Sequence, residues 1–163
     1  MAKAPKTSSK PKKLAKASAS VKTLKQEPFW IGFDLGGTKM LCNVLTADYK
    51  ILATTKRATS GSDGAAKGLK RIIDLIEEAI RKAGVDPKGI KGIGMGCPGL
   101  VDPSKGQLIN APNLGWSNVP LRRTLSVHFK CAVSVLNDVD AGTYVEYIMG
   151  GGKGARFLLG VFP

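Results

Sequence analysis

A chain of 163 residues with 43% hydrophobic content is long enough to bury one sizeable core, and no apolar run in it approaches the length of a bilayer-spanning helix, nor does its start carry the apolar core of a secretory signal. Cys42, Cys97 and Cys131 are odd in number and far apart, which argues against a disulfide framework or a Cys-x-x-Cys zinc site and points to reduced thiols, small apolar residues of strands, in a cytoplasmic protein. The net charge is +13, yet residues 1–28 alone hold eight lysines against Glu27, so the remaining chain carries only +6.

That basic tail is Lys, Ala, Ser and Pro with almost nothing to bury, and disorder is expected over residues 1–28. It could tether the protein weakly to nucleic acid through counterion release. A solvated extension is the preferred reading, because no arginine or aromatic residue is interleaved to fork onto phosphates or stack on bases.

From Phe29 the composition changes, and strand-like runs are expected at about 29–34, 40–46 and 50–57 as an antiparallel meander. The first connection, Asp34-Leu35-Gly36-Gly37-Thr38-Lys39, carries the first chemistry. Two adjacent glycines can take positive φ and lack a Cβ, so backbone N–H groups can close around an anion, with the Thr38 hydroxyl as a further donor. Asp34 repels a phosphate directly and is better suited to hold a hydrated Mg²⁺ beside one. An ordinary hairpin in which Gly36 and Gly37 supply only turn geometry stays open as the alternative.

Ser60-Gly61-Ser62-Asp63 offers turn and cap residues before a helix in which Ala65, Leu69, Ile72, Ile73, Ile76 and Ile80 recur at helical spacing. Glu77 with Arg81 and Glu78 with Lys82 are expected as i,i+4 pairs on a solvated face, and Gly84 ends the helix. Ile90–Gly96 reads as a strand with Gly92, Gly94 and Gly96 alternating, which leaves one of its faces bare for another backbone or a ligand. Asn110-Ala111-Pro112-Asn113-Leu114-Gly115-Trp116 is a loop by composition, and a helix with Leu121, Leu125 and Phe129 on one side is expected from about Asn118. His128 on that helix is read as a packed histidine in preference to a ligand or base. The asparagines suit either sugar hydroxyls or backbone capping. Ala132–Leu136 reads as a buried strand stopping at Asn137-Asp138, where a helix with Ala141, Val145, Ile148 and Met149 in phase begins. That places Asn137 and Asp138 at the carboxyl end of a strand, the edge where open α/β sheets bind ligands. Asp138 is either the helix N-cap, slightly preferred on spacing alone, or a general base within reach of a substrate hydroxyl.

Taken together, Asp34-Leu-Gly-Gly-Thr-Lys39, Gly96-Cys-Pro-Gly99, Asn110-Ala-Pro-Asn-Leu-Gly-Trp116 and Asn137-Asp138 resemble the ROK family of sugar kinases and sugar-responsive repressors, from about Phe29 to Pro163. The resemblance implies the first domain of an actin-like, ribonuclease-H-like α/β pair with a mixed sheet. It implies that Asp34, Gly36, Gly37, Thr38 and Lys39 form the first phosphate motif for ATP, with Mg²⁺ held at Asp34 through water. Gly99, Asn110, Asn113 and Asn137 fall at positions that recognise the hexose or shape its pocket, and Asp138 at that of the catalytic base. A homodimer of the complete protein is also implied.

The family's second glycine-rich phosphate loop, its Cys/His zinc motif and its later sugar-holding His and Glu are missing, so residues 29–163 are expected to be a first domain cut before that loop and inactive alone. The expected function is glucokinase-like transfer of phosphate from ATP, or polyphosphate, to a hexose. The rival is a sugar-sensing repressor of the same family, for whose helix-turn-helix the 28 residues before Phe29 are too few and too polar; a non-catalytic binding or folding fragment is a third possibility. The last run, Phe157–Pro163, reads as a strand.

Overall fold

The computed structural model describes residues 27–161. The disorder expected for residues 1–26, and any nucleic-acid tether there, lie outside the described residues, while Glu27 and Pro28 are exposed and carry no regular structure.

Strands β1 (Phe29–Leu35), β2 (Lys39–Leu45) and β3 (Ile51–Ala58) form the expected meander, each pairing antiparallel with the next. Because side chains alternate across a strand, Phe29, Ile31, Phe33 and Leu35 share one face with Met40, Cys42 and Val44, and all are essentially buried. Helix α1 (Ala65–Ala83) lays Ile72, Leu75, Ile76, Ala79 and Ile80 on that face. Each large aliphatic side chain buried there contributes roughly 1.5–3 kcal/mol. The helix stops at Gly84, whose φ of 67° is the left-handed cap glycine favours.

Strand β4 (Ile90–Cys97) then runs parallel to β1. The next strands make a small second sheet of their own, β5 (Leu100–Asp102), β6 (Gln107–Ala111) and β7 (Trp116–Val119), antiparallel throughout. Helix α2 (Leu121–Phe129) follows, adding Leu121 and Leu125 to the core. Strand β8 (Ala132–Asn137) lies parallel to β4, and helix α3 (Asp138–Met149) leaves directly from its end. The main sheet is therefore mixed, in the order β3-β2-β1-β4-β8, with β2 antiparallel to β1 as expected.

Several expectations are corrected. Asn110–Trp116 is not a plain loop: it joins the end of β6 through a turn to the first residue of β7, and Asn118 lies in that strand with α2 starting only after Pro120. Cys131 sits in a bend before β8, not in a strand. Ser60–Asp63 does not cap α1; Gly61–Asp63 is a 3-10 turn, Gly64 takes the cap position without a side-chain bond, and Asp63 pairs with Arg71 at 2.7 Å. The acids of α1 are more than a solvated face. Glu78 pairs with Arg57 of β3 at 2.7 Å, Glu77 meets His128 Nε2 of α2 at 2.8 Å, and Lys82 donates to the Thr54 carbonyl at 2.9 Å. The final apolar run is no strand over residues 157–161, where Phe157, Leu159 and Val161 are exposed. A strand needs a neighbour, and among the described residues none pairs with it.

Candidate active site

The carboxyl ends of β1, β4 and β8 lie side by side, with Asp34 in register with Gly96 and Gly96 with Leu136. Phe29, Ile31, Phe33 and Leu35 of β1 and Ile93, Met95 and Cys97 of β4 point into the core, so Gly32, Asp34, Gly94 and Gly96 face the other side of the sheet. There a cavity of about 420 Å³ opens between the sheet and α3, lined by Asp34, Asn43, Gly94, Gly96, Ser134, Asp138 and Tyr144 among others. Asp34 and Asp138 thus share one hollow. Burial, and then the facing Asp138 carboxylate, raise the Asp34 carboxyl above its ordinary value.

The glycines of β4 leave this face of the sheet bare. A Cβ on Gly96 would lie 3.7 Å from Asp138 Cα and 3.9 Å from Ala141 Cβ, so the start of α3 lies over Gly96 with room for little more than a methyl group, while Gly94 stays open to the cavity. The bare face expected from the sequence receives both another backbone and an open hollow.

Asn137, not Asp138, is the main cap of α3. Its Oδ1 accepts from Val139 N at 2.9 Å and Asp140 N at 3.3 Å, and its Nδ2 donates to the Gly99 carbonyl at 3.0 Å. Asp138 Oδ1 also accepts from Val139 N at 3.0 Å, but its carboxylate remains exposed in the hollow. Asn137 is therefore largely engaged with the backbone, and it shapes the site by holding Gly99. Gly99 has φ 86°, and a Cβ on it would strike the Asn110 carbonyl. Asn110 Oδ1 in turn accepts from Ser117 Oγ at 3.3 Å.

The β1–β2 turn departs from expectation in its torsions, since neither Gly36 nor Gly37 has a positive φ. Their need for glycine is one of space. A Cβ on Gly36 would lie 2.6 Å from the Lys39 carbonyl oxygen, to which Gly36 N donates at 3.0 Å, and a Cβ on Gly37 would lie 3.1 Å from Asn113 Nδ2. Among the described residues, the N–H groups of Gly37 and Thr38 make no turn bond to a backbone acceptor. Gly37, Thr38 and Lys39 are exposed.

The predicted residues fall into three neighbouring groups: Asp34 with Asp138 in the hollow, Asn137 with Gly99 and Asn110 beside it, and Asn113 against the glycine turn. The sequence reading did not single out Asn43, Ser134 and Tyr144 of the hollow, or Thr59, whose hydroxyl donates to the Gly36 carbonyl at 2.7 Å. Polar residues on the same strand face as Asp34 were the available signal for Asn43 and Ser134. A larger hollow of about 520 Å³ between the carboxyl ends of α1 and α2 is lined by Glu77, Ile80, Arg81, His128 and Phe129 among others, and holds none of the motif residues. His128 packs edge-on to Phe129 there, 4.7 Å between ring centres.

Comparison with known proteins decides the family, for the ROK family pattern matches residues 30–162. The chain belongs to the ROK family. A glucokinase of Streptomyces coelicolor is 35% identical over 126 residues, which are 77% of this chain and 38% of that protein. A xylose repressor of Caldicellulosiruptor bescii is 44% identical over 80 residues, 49% of this chain and 20% of that one. Among solved structures, the ROK family glucokinase from Streptomyces griseus in complex with glucose and AMPPNP superposes with a TM-score of 0.66 at 32% identity, covering 77% of this chain and 38% of that one. The chain thus spans well under half the length of these ROK relatives. Its mixed sheet and crossing helices are the actin-like α/β fold of the ROK sugar kinases.

Proposed function

We propose that residues 29–163 are the first domain of a glucokinase-like sugar kinase, which transfers the terminal phosphate of ATP to a hexose hydroxyl and works in the cytoplasm, as a homodimer when complete. The observation that carries this reading is the hollow shared by Asp34 and Asp138. Phosphoryl transfer asks a protein for positioning and charge neutralisation more than for covalent chemistry. The free N–H groups at Gly37 and Thr38 supply donors for phosphate oxygens, with Lys39 beside them. Asp138 is the base that takes the proton of the acceptor hydroxyl, Gly99, Asn110 and Asn137 form the adjoining wall for the sugar, and Asn113 stands beside the glycine turn.

Among the described residues no cluster of three ligating side chains could cage a metal by itself. What fits is the Asp34 carboxylate, whose ionised form burial and the like charge of Asp138 disfavour and a hydrated cation would stabilise. Mg²⁺ held there through water would neutralise charge on the transferring phosphate. The donor supported by the relatives is a nucleotide, since the S. griseus structure holds AMPPNP; a polyphosphate/ATP glucomannokinase of Arthrobacter is also similar in fold.

The test is Asp138→Asn in the complete protein. Turnover should fall by about 10²–10⁴-fold with sugar binding retained; an unchanged kcat removes Asp138 as the base. The similarity to the C. bescii xylose repressor favours a second reading, a sugar-sensing repressor. Its mark would be sequence-specific DNA binding released by sugar, without ATP-dependent sugar phosphorylation.

A further inference from the structure

Thr59 follows the end of β3 and is fully buried, one of two buried polar residues among those described. It holds the β1–β2 turn at two carbonyls: its hydroxyl donates to Gly36 O at 2.7 Å, and its N–H donates to Thr38 O at 2.9 Å. A trans peptide points its C=O and N–H in opposite directions, and no cis peptide occurs among the described residues. Turning the Gly36 carbonyl inward to Thr59 therefore turns the Gly37 N–H away from it, on the outer side of an exposed turn.

The segment carrying Thr59 is itself tied down. Arg71 of α1 donates to the Ser60 carbonyl at 2.7 Å and pairs with Asp63, while Trp116 Nε1 donates to the Gly61 carbonyl at 3.0 Å. Leu114 backbone atoms lie 3.0 Å from where a Gly61 Cβ would stand. Thr59 is thus braced by α1 on one side and by the asparagine-bearing turn on the other, and such bracing is what fixes the direction of a hydrogen-bond donor in a site.

We propose that Thr59 is a positioning residue for nucleotide binding: by anchoring the Gly36 carbonyl it aims the Gly37 N–H at a phosphate oxygen of the nucleotide. The inference rests on the proposed function for the identity of the anion. Thr59 touches no substrate and acts only through the glycine turn. Removing its hydroxyl leaves the Gly36 carbonyl without the partner that fixes its direction while the backbone bonds on either side remain, so the loss falls on the nucleotide side alone.

The experiment compares Thr59→Val, close in shape but without the hydroxyl, with Thr59→Ser, which keeps it, in the complete protein. Steady-state kinetics are measured against ATP and glucose, and magnesium AMPPNP binding by calorimetry. Thr59→Val should raise KM for ATP and Kd for magnesium AMPPNP by roughly tenfold or more, the size expected for a lost hydrogen bond to a charged group. KM for glucose should stay within about twofold, and Thr59→Ser should restore nucleotide binding to within a few-fold. Unchanged nucleotide binding in Thr59→Val overturns the proposal, as does equal damage in Thr59→Ser or a parallel rise of both KM values, since those mark packing alone. Failure of the unsubstituted protein to bind magnesium AMPPNP overturns it as well. Nucleotide binding that responds to Thr59→Val without any phosphoryl transfer supports Thr59 while refuting the kinase reading.

Discussion

Gly68→Ala should destabilise this chain, although the general rule for a glycine inside a helix predicts the reverse. Gly68 lies in the first turn of α1 and is buried against the indole of Trp116, and an ideal Cβ there would stand 2.0 Å from Cζ2 and 2.1 Å from Cη2. Carbon atoms in contact sit about 3.5–4.0 Å apart, so the ring must move by more than an ångström. It has little room, being 1% exposed and donating Nε1 to the Gly61 carbonyl at 3.0 Å. On an open helix the substitution gains about 1 kcal/mol. Here overpacking costs about 1–3 kcal/mol and losing the indole hydrogen bond about 1 kcal/mol, for a net loss of about 1–3 kcal/mol. For a domain of this size Tm should fall by about 3–12 °C. Thermal unfolding followed by circular dichroism measures it, and near-ultraviolet signals report the displaced indole. A Tm at or above that of the unsubstituted chain refutes the close packing of Gly68 on Trp116.

Asp34→Asn should stabilise the chain at neutral pH and not in acid. Burial and Asp138 raise the Asp34 carboxyl above 3.8, so the stability that belongs to its protonated form is complete below pH 3.8 and lost as pH rises through the raised value. Tm values measured without Mg²⁺ at neutral pH and below pH 3.8 check the sign, and a gain confined to acid contradicts it. Asn137→Ala should cost about 1–2 kcal/mol in urea unfolding and Asp138→Ala much less, because Asn137 carries the main cap bonds of α3; the reverse order would make Asp138 the cap. Toward iodoacetamide Cys131 should react first and Cys42 and Cys97 only on unfolding, since burial drives both of those thiols to about 12 and leaves neither exposed. Peptide mapping after brief labelling reads the order directly.

The long elements were legible because each carries several turns or alternations of apolar residues. β1, β2, β3, α1, β4, β8 and α3 all lie within a few residues of their expected places, and the mixed order of the sheet follows from them. The small sheet was not legible. β5 to β7 are three to five residues each, too short for a period to show, and the exposed pair Ser117-Asn118 of β7 breaks any alternation. Composition misled there too, since the Asn, Pro and Gly of the 112–115 turn masked the strand residues flanking it. At the glycine turn the residue type was read correctly but for the wrong physical reason. Gly36 and Gly37 answer to the Lys39 carbonyl and to Asn113, and only the second contact depends on a residue far away in sequence. Thr59 gave no local sign at all. A threonine at the end of a strand is unremarked until the fold brings the Gly36 carbonyl within 2.7 Å of it.

The same bare strand that opens the hollow also sets its electrostatics. A side chain longer than a methyl group at Gly96 would meet the first turn of α3, where an added Cβ already lies 3.7 Å from Asp138 Cα, while one at Gly94 would enter the hollow that Asp34 and Asp138 line. Glycine at both positions keeps that hollow open, and Asp34 and Asp138 line it together. Burial and the like charge of Asp138 both raise the Asp34 carboxyl, so its ionised form is disfavoured there. On the proposed function, a hydrated cation held at Asp34 relieves that cost, and the gain in Tm from Asp34→Asn should vanish as Mg²⁺ and nucleotide are added to the unsubstituted protein.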